Sequence, residues 1–126
     1  GGGAVDRVGY FVEPTLLVDV KPDDHVVQEE FFGPVVVVLP FDDEDEAVAI
    51  ANNSDYGLFS YVFCGDLGRG LEIAKQLESG NVAVNGVQPH MHAAFGGFKM
   101  SGIGRDRGVF GLQAYSELQS VNWPAV

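Results

Sequence analysis

The chain is poor in cysteine and in positive charge, and it has no long apolar run. Of its 126 residues only Cys64 is a cysteine. A lone thiol excludes an intrachain disulfide framework and a cysteine-cluster metal site. Lys and Arg number 7 against 18 Asp and Glu, a formal net charge of -11. Phosphate and anionic lipid are bound by clustered cations, so this balance argues against nucleic acid and membrane as partners. No stretch approaches the roughly 20 apolar residues of a membrane helix. The sequence starts Gly1-Gly2-Gly3, with neither an initiator Met nor a charged-then-apolar leader. It therefore reads as truncated or processed, and a cytoplasmic location is only the working expectation.

What is present suits a soluble globular protein, with 46% hydrophobic and 20% charged residues. The length suits one domain burying roughly two-thirds of its unfolded surface. Glycine is in excess at 17 residues, nearly twice the usual share of about 7%. Nine of the 18 acids lie between Pro22 and Glu46, a stretch without Lys or Arg. Six glycines lie between Gly96 and Gly111, and three of the seven cations between Lys99 and Arg107. The acidic surface and the glycine-rich, weakly basic surface are thus different parts of the molecule.

The pattern predicts that Tyr10–Val20 is extended, with Pro14 placing it at an edge or a strand start. A short helix follows over Pro22–Glu30, with Pro22 as its first residue. The run Val35–Leu39 is continuous and β-branched, which predicts a strand buried on both faces. Asp42–Asn53 reads as a helix capped by Asp42 or Asp43, with Ala47, Ile50 and Ala51 as its apolar stripe and Tyr56-Gly57 as its end. Leu58–Cys64 reads as a strand. Leu67–Ser79 reads as a helix closed by Gly80 as its cap. Asn81–Asn85 is a short strand, Val87–Gly104 a long irregular segment, Arg105–Tyr115 a helix and Glu117–Trp123 a last strand. The alternation implies an α/β fold with an open, mainly parallel sheet flanked by helices. An irregular segment as long as Val87–Gly104 is often functional.

Candidate chemistry sits in a few places. In Glu29-Glu30-Phe31-Phe32-Gly33-Pro34, a carboxylate at the end of a strand could accept two hydrogen bonds from a vicinal diol such as a ribose. A neighbouring aromatic could cover a flat heterocycle. The plain alternative is a surface acid pair with aromatics entering a core. The glycine loop from Phe95 to Gly104 is close to a dinucleotide fingerprint, but no hydrophobic strand leads into it, and no Lys follows Gly102 as a phosphate loop requires. A structural loop closing over a neighbouring surface fits better. His90 and His92 lie two apart, too few ligands for a metal site. Cys64 ends an apolar strand, where a structural thiol is the default and a nucleophile would need an activating base. The segment Glu117–Trp123 is either an edge that pairs with another chain or an edge of its own sheet.

Taken in order, these segments resemble the C-terminal part of the aldehyde dehydrogenase superfamily. The resemblance is carried by Gly9-Tyr10-Phe11-Val12-Glu13-Pro14-Thr15 and Glu29-Glu30-Phe31-Phe32-Gly33-Pro34-Val35. It continues through Asp45-Glu46-Ala47, Ala51-Asn52 and Tyr56-Gly57-Leu58 to Gly80-Asn81-Val82-Ala83-Val84-Asn85-Gly86 and Phe95-Gly96-Gly97-Phe98-Lys99-Met100-Ser101-Gly102-Ile103-Gly104-Arg105. It implies that residues 1–115 are the C-terminal part of a catalytic domain and 116–126 a terminal strand or tail, a candidate oligomerisation edge. It implies cofactor-binding roles for Glu30, on the nicotinamide-side ribose hydroxyls, and Phe32, beside the nicotinamide ring. It places Phe95 at the aldehyde entrance, with Val87–Ala94 lining the same mouth. The implied activity is oxidation of an aldehyde to an acid through a cysteine thioester, with NAD or NADP as cofactor and a homo-oligomeric enzyme as the setting.

The family's nucleophilic Cys, its general base and its adenosine-binding half lie upstream in the family pattern. Cys64 does not match the nucleophile, so these 126 residues are expected to be inactive alone. Ala94 stands where the family usually has Pro, and Asp106 where Glu is common. Two alternatives stay open: a free-standing non-catalytic interaction module, and part of a relative that makes acyl-CoA.

Overall fold

The computed structural model describes residues 1–86 and 90–124. Within it the chain forms two units, Gly1–Ser54 and Asp55–Val126. Each is built around a parallel strand pair whose connection passes through a helix. Parallel neighbours cannot be joined by a tight hairpin, so each pair needs such a crossover.

In the first unit, β1 (Thr15–Leu17) is followed by α1 (His25–Gln28), β2 (Val35–Val37) and α2 (Glu44–Asn52). β1 and β2 run parallel, with Thr15 opposite Val35 and Leu17 opposite Val37. Helix α1 is shorter than the pattern predicts. Asp24 is its N-cap, so Pro22 lies outside it. The Asp24 carboxylate accepts the Lys21 N–H at 2.8 Å in place of a helix N–H. Helix α2 is capped by Asp43, whose carboxylate accepts the Glu46 N–H at 2.9 Å, while the Glu46 carboxylate accepts the Asp42 N–H at 2.7 Å. Two N–H groups at the helix start are thereby satisfied, and three acids sit against its positive end. On α2, Ala47, Val48 and Ile50 are half-buried and Ala51 is exposed. The stripe therefore runs through Val48, not Ala51.

β2 departs from the expected strand buried on both faces. Val36 is 59% exposed, and Leu16, its register partner on β1, is 61% exposed. One face of this strand pair is therefore open and apolar.

The second unit contains β3 (Tyr56–Gly57), β4 (Phe59–Val62), α3 (Leu67–Ala74), β5 (Asn81–Val84), β6 (Phe98–Lys99) and α4 (Gly108–Gln113). β4 and β5 are parallel, from Phe59 opposite Asn81 to Val62 opposite Val84. Helix α3 begins on Asp66, whose carboxylate accepts the Arg69 N–H at 2.8 Å. It approaches the strands closely at Gly70, where a Cβ would stand 2.8 Å from Val84 Cγ1 and 3.3 Å from Cys64 Cβ. Val62 in β4, 9% exposed, is the buried apolar side chain among the described residues.

Three expectations in this unit are corrected. Helix α3 ends at Ala74 rather than Ser79, and Lys75, not Gly80, is its C-cap. Tyr56-Gly57 is a strand, pairing antiparallel with β6 so that Tyr56 faces Lys99 and Gly57 faces Phe98. Residues 117–124 form no strand and pair with no strand among the described residues; Leu118, Val121 and Trp123 are exposed. The α/β class stands, with two of the three strand pairs parallel and a helix in each parallel crossover.

The accessible surface is 10140 Å² for 13.5 kDa. A folded monomer of that mass exposes about 6,500 Å², and two independent half-size bodies about 7,900 Å². The excess includes apolar side chains such as Leu16, Val36 and Phe32. The expectation of a self-sufficient core is therefore not met by these residues.

Candidate functional site

Glu30 and Phe32 lie on the turn between α1 and β2. Two short-range bonds shape it. The Gly33 N–H donates to the Phe31 carbonyl at 2.7 Å, and the Val35 N–H to the Gly33 carbonyl at 2.8 Å. Each closes a three-residue turn, the first with Phe32 at its corner. The Thr15 N–H donates to the Pro34 carbonyl at 2.8 Å and ties the turn to β1. A side chain at such a corner projects outward, and Phe32 is 99% exposed. Glu30 is exposed and has no hydrogen-bond or ion-pair partner among the described residues. Its neighbour Glu29 is engaged by His25 at 2.9 Å. Of the two adjacent acids, Glu30 is the uncommitted one. The aromatics do not enter a core here, since Phe31 is exposed as well.

Chemically, this turn offers an acceptor and an apolar face side by side in sequence, groups that could hold a diol and a flat ring. A carboxylate is acceptor-only and matches the two donors of a ribose diol. A bare aromatic face matches a flat heterocycle.

The glycine loop in the second unit is a woven structure. Ser101 Oγ accepts the Gly57 N–H at 2.9 Å. Asn81 Nδ2 donates to the carbonyls of Leu58 at 3.1 Å and Gly96 at 3.0 Å. Arg105 Nη1 donates to the carbonyls of Gly97 at 3.1 Å and Gly104 at 2.7 Å. The Gly80 N–H donates to the Gly57 carbonyl at 2.9 Å, and a Cβ at Gly80 would collide with the Gly96 carbonyl oxygen. Gly80 is therefore a close-approach glycine. The N–H groups of Phe95, Met100 and Ser101 donate to the carbonyls of Asp106, Asp55 and Phe98. A phosphate cradle needs free N–H groups, and these are already engaged.

Phe95 is half-buried and held within this weave. It exchanges both backbone hydrogen bonds with Asp106, at 2.9 and 2.7 Å, as an antiparallel pair. The Arg107 guanidinium lies over its ring, 4.4 Å from the centroid. Asp106 stands out in the sequence as a departure from the family pattern, whereas Arg107 does not. The signal is the Arg-Asp-Arg run, in which Arg105 serves two backbone carbonyls and lies over the Phe98 ring while Arg107 lies over the Phe95 ring.

Cys64 is half-buried, and its backbone is clipped by Asn85. The Cys64 N–H donates to Asn85 Oδ1 at 2.8 Å, and Asn85 Nδ2 donates back to the Cys64 carbonyl at 2.7 Å. That is a structural setting. His90 Nδ1 accepts the His92 N–H at 3.2 Å. Val87, Gln88 and Pro89, the first part of the expected mouth segment, lie outside the described residues.

Comparison with known proteins matches residues 1–121 to the model of the aldehyde dehydrogenase family. The chain is 43% identical over 122 residues to retinal dehydrogenase 2 of Homo sapiens, covering 96% of this chain and 24% of that protein. It is similar to the crystal structure of Mycobacterium tuberculosis aldehyde dehydrogenase complexed with NAD+, with a TM-score of 0.88 and 40% identity over 92% of this chain and 24% of the other. It also resembles the NAD-dependent aldehyde dehydrogenase from Sinorhizobium meliloti, with a TM-score of 0.91 and 34% identity over 100% of this chain and 26% of the other. The chain spans about a quarter of the length of the relatives it matches.

Proposed function

The chain belongs to the aldehyde dehydrogenase family, and from that premise we propose that it is the C-terminal segment of an enzyme oxidising an aldehyde to a carboxylic acid with NAD or NADP. The observation that carries the reading is the Glu30–Phe32 turn, with a carboxylate that has no hydrogen-bond or ion-pair partner among the described residues two positions before a fully bare ring. Relatives crystallised with NAD+ support the same cofactor class.

In this reading Glu30 accepts the hydroxyls of the nicotinamide-side ribose, and Phe32 lies along the nicotinamide ring. The cofactor, when bound, supplies the hydride acceptor. Phe95 lines the aldehyde entrance and restricts the approach of substrate. The woven glycine loop holds that entrance in shape. The segment supplies orientation, which alone is worth several kcal/mol of barrier when reacting groups are held correctly. Nucleophile and general base come from the rest of the enzyme, and the open Leu16–Val36 face is covered there too. A homo-oligomer using residues 116–126 as a contact edge completes the proposal.

The test is steady-state kinetics of the full-length protein with aldehyde and either nucleotide, with and without coenzyme A. Glu30→Gln keeps shape and removes the charge. It is expected to lower kcat about 10-fold, the worth of a charge-assisted hydrogen bond, with the melting temperature unchanged. Unaltered kinetics would remove Glu30 from the site, and turnover that requires coenzyme A would replace the acid product with an acyl-CoA.

A further inference from the structure

We propose that Arg107 is the positioning residue of Phe95. Its guanidinium fixes the ring at the aldehyde entrance and so sets which aldehydes the mouth accepts. The inference rests on the reading of Phe95 given above.

Three observations meet on this side chain. The first is the stacking itself. A guanidinium carbon 4.4 Å from a ring centroid lies well within the range of a cation–π attraction, and a planar guanidinium can lie flat on the ring. The second is burial. Arg107 Nη1 is buried and has no hydrogen-bond partner among the described residues. A guanidinium N–H enclosed without an acceptor is disfavoured, so the placement needs a compensating neighbour, and the Phe95 ring is that neighbour. The other two cations of the loop have polar partners as well. Arg105 donates to two carbonyls while its guanidinium lies 5.2 Å from the Phe98 ring centroid, and Lys99 pairs with Glu78 at 2.7 Å.

The third observation is the backbone. Arg107 has φ 64 and ψ 156, a conformation that is essentially glycine's. It follows directly on the Phe95–Asp106 pair. In a continued strand, residue 107 would point to the opposite side from residue 106. The turn to positive φ redirects the chain there, and the guanidinium ends on the Phe95 ring. The strained conformation is held from both ends. The Arg107 N–H donates to Asp106 Oδ1 at 2.7 Å, and its carbonyl accepts the Gly111 N–H at 2.9 Å. The next residue, Gly108, packs where a Cβ would collide with the His92 carbonyl oxygen. Strain of this kind persists only where surrounding contacts over-determine it, and it gathers at functional sites. Phe95 is thus gripped twice, by its backbone through Asp106 and by its ring through Arg107.

A ring fixed this way discriminates by shape. Freed from the guanidinium it gains rotamers, and bulky flat substrates lose their rigid wall. The experiment uses the full-length enzyme with acetaldehyde and benzaldehyde as probes. The variants are Phe95→Ala, Arg107→Met, Arg107→Lys and the Phe95→Ala/Arg107→Met double. Arg107→Met keeps the stem without charge and is expected to raise the benzaldehyde KM about 5-fold, with a smaller effect on kcat and on the acetaldehyde KM. Arg107→Lys keeps charge without the planar face and falls between; it carries the comparison if Arg107→Met does not fold. In the Phe95→Ala background, Arg107→Met should add nothing to the ratio of the two KM values. Equal effects in both backgrounds, or a lowered melting temperature with the KM ratio unmoved, would overturn the proposal. If Phe95→Ala itself leaves the ratio unchanged, Phe95 is not at the entrance, and both readings fall. If Phe95→Ala moves it and Arg107→Met does not, only the role of Arg107 is lost.

Discussion

In Gly1–Ser54 the bonds joining distant parts of the chain include the β1–β2 ladder, the Ala4–Val12 bridge and a tie at the ends of the helices. There Gln28 Nε2 donates to the Asn53 carbonyl at 2.8 Å, and Asn53 Nδ2 to Asp23 at 3.0 Å. In Asp55–Val126 side chains do much more of the joining. Ser101 reaches Gly57, Asn81 reaches Leu58 and Gly96, Asn85 clips Cys64, Arg105 reaches Gly97, and the Ser60 and Ser79 hydroxyls meet at 2.6 Å. The same strand–helix–strand scheme is thus held by ladder and caps in one unit and by side-chain-to-backbone bonds in the other. The difference follows from what each carries. A projecting acid and ring need only a firm turn beneath them. A long irregular loop has many carbonyls and N–H groups that no ladder satisfies.

The sharpest way to break this contrast is Gly80→Ala in the full-length protein. The new methyl group meets the backbone oxygen of Gly96, which cannot yield without moving the loop. A loss of about 4 kcal/mol is expected, read by denaturant unfolding, with activity falling at temperatures where the parent is folded. A variant that unfolds with the parent would show that the loop gives way freely. Ser101→Ala is next. It strands the N–H of the buried Gly57, and about 1–2 kcal/mol is expected. An effect near zero would mean that β3 and β6 need no side-chain tie. Asp43→Ala, in the other unit, removes the α2 cap and should cost about 1 kcal/mol without altering the substrate preference. A change in that preference would join the acidic unit to the entrance and erase the distinction.

Much of this was legible in the residues. Cap and strand signals are local, so a cap at Asp42 or Asp43 and strands over Val35–Leu39 and Asn81–Asn85 are legible from neighbours alone, and the structure narrows them to Asp43, Val35–Val37 and Asn81–Val84. The roles expected of Glu30 and Phe32 come from the family resemblance, since two acids before two aromatics read by themselves just as well as a surface pair with aromatics entering a core. The rest depends on contacts far apart in sequence. Nothing beside Gly80 says that it faces Gly96 rather than closing a helix. The burial expected for Val36 depends on what lies against its strand. Arg107 was silent because its meaning lies in a ring twelve positions earlier and in a backbone angle that no residue type near it announces.

The open face of Leu16 and Val36 has a consequence outside catalysis. Contiguous exposed apolar surface is what drives association of incompletely assembled chains and what cellular quality control acts on. If these 126 residues were released alone, that face would govern their solubility and lifetime before any question of activity arose.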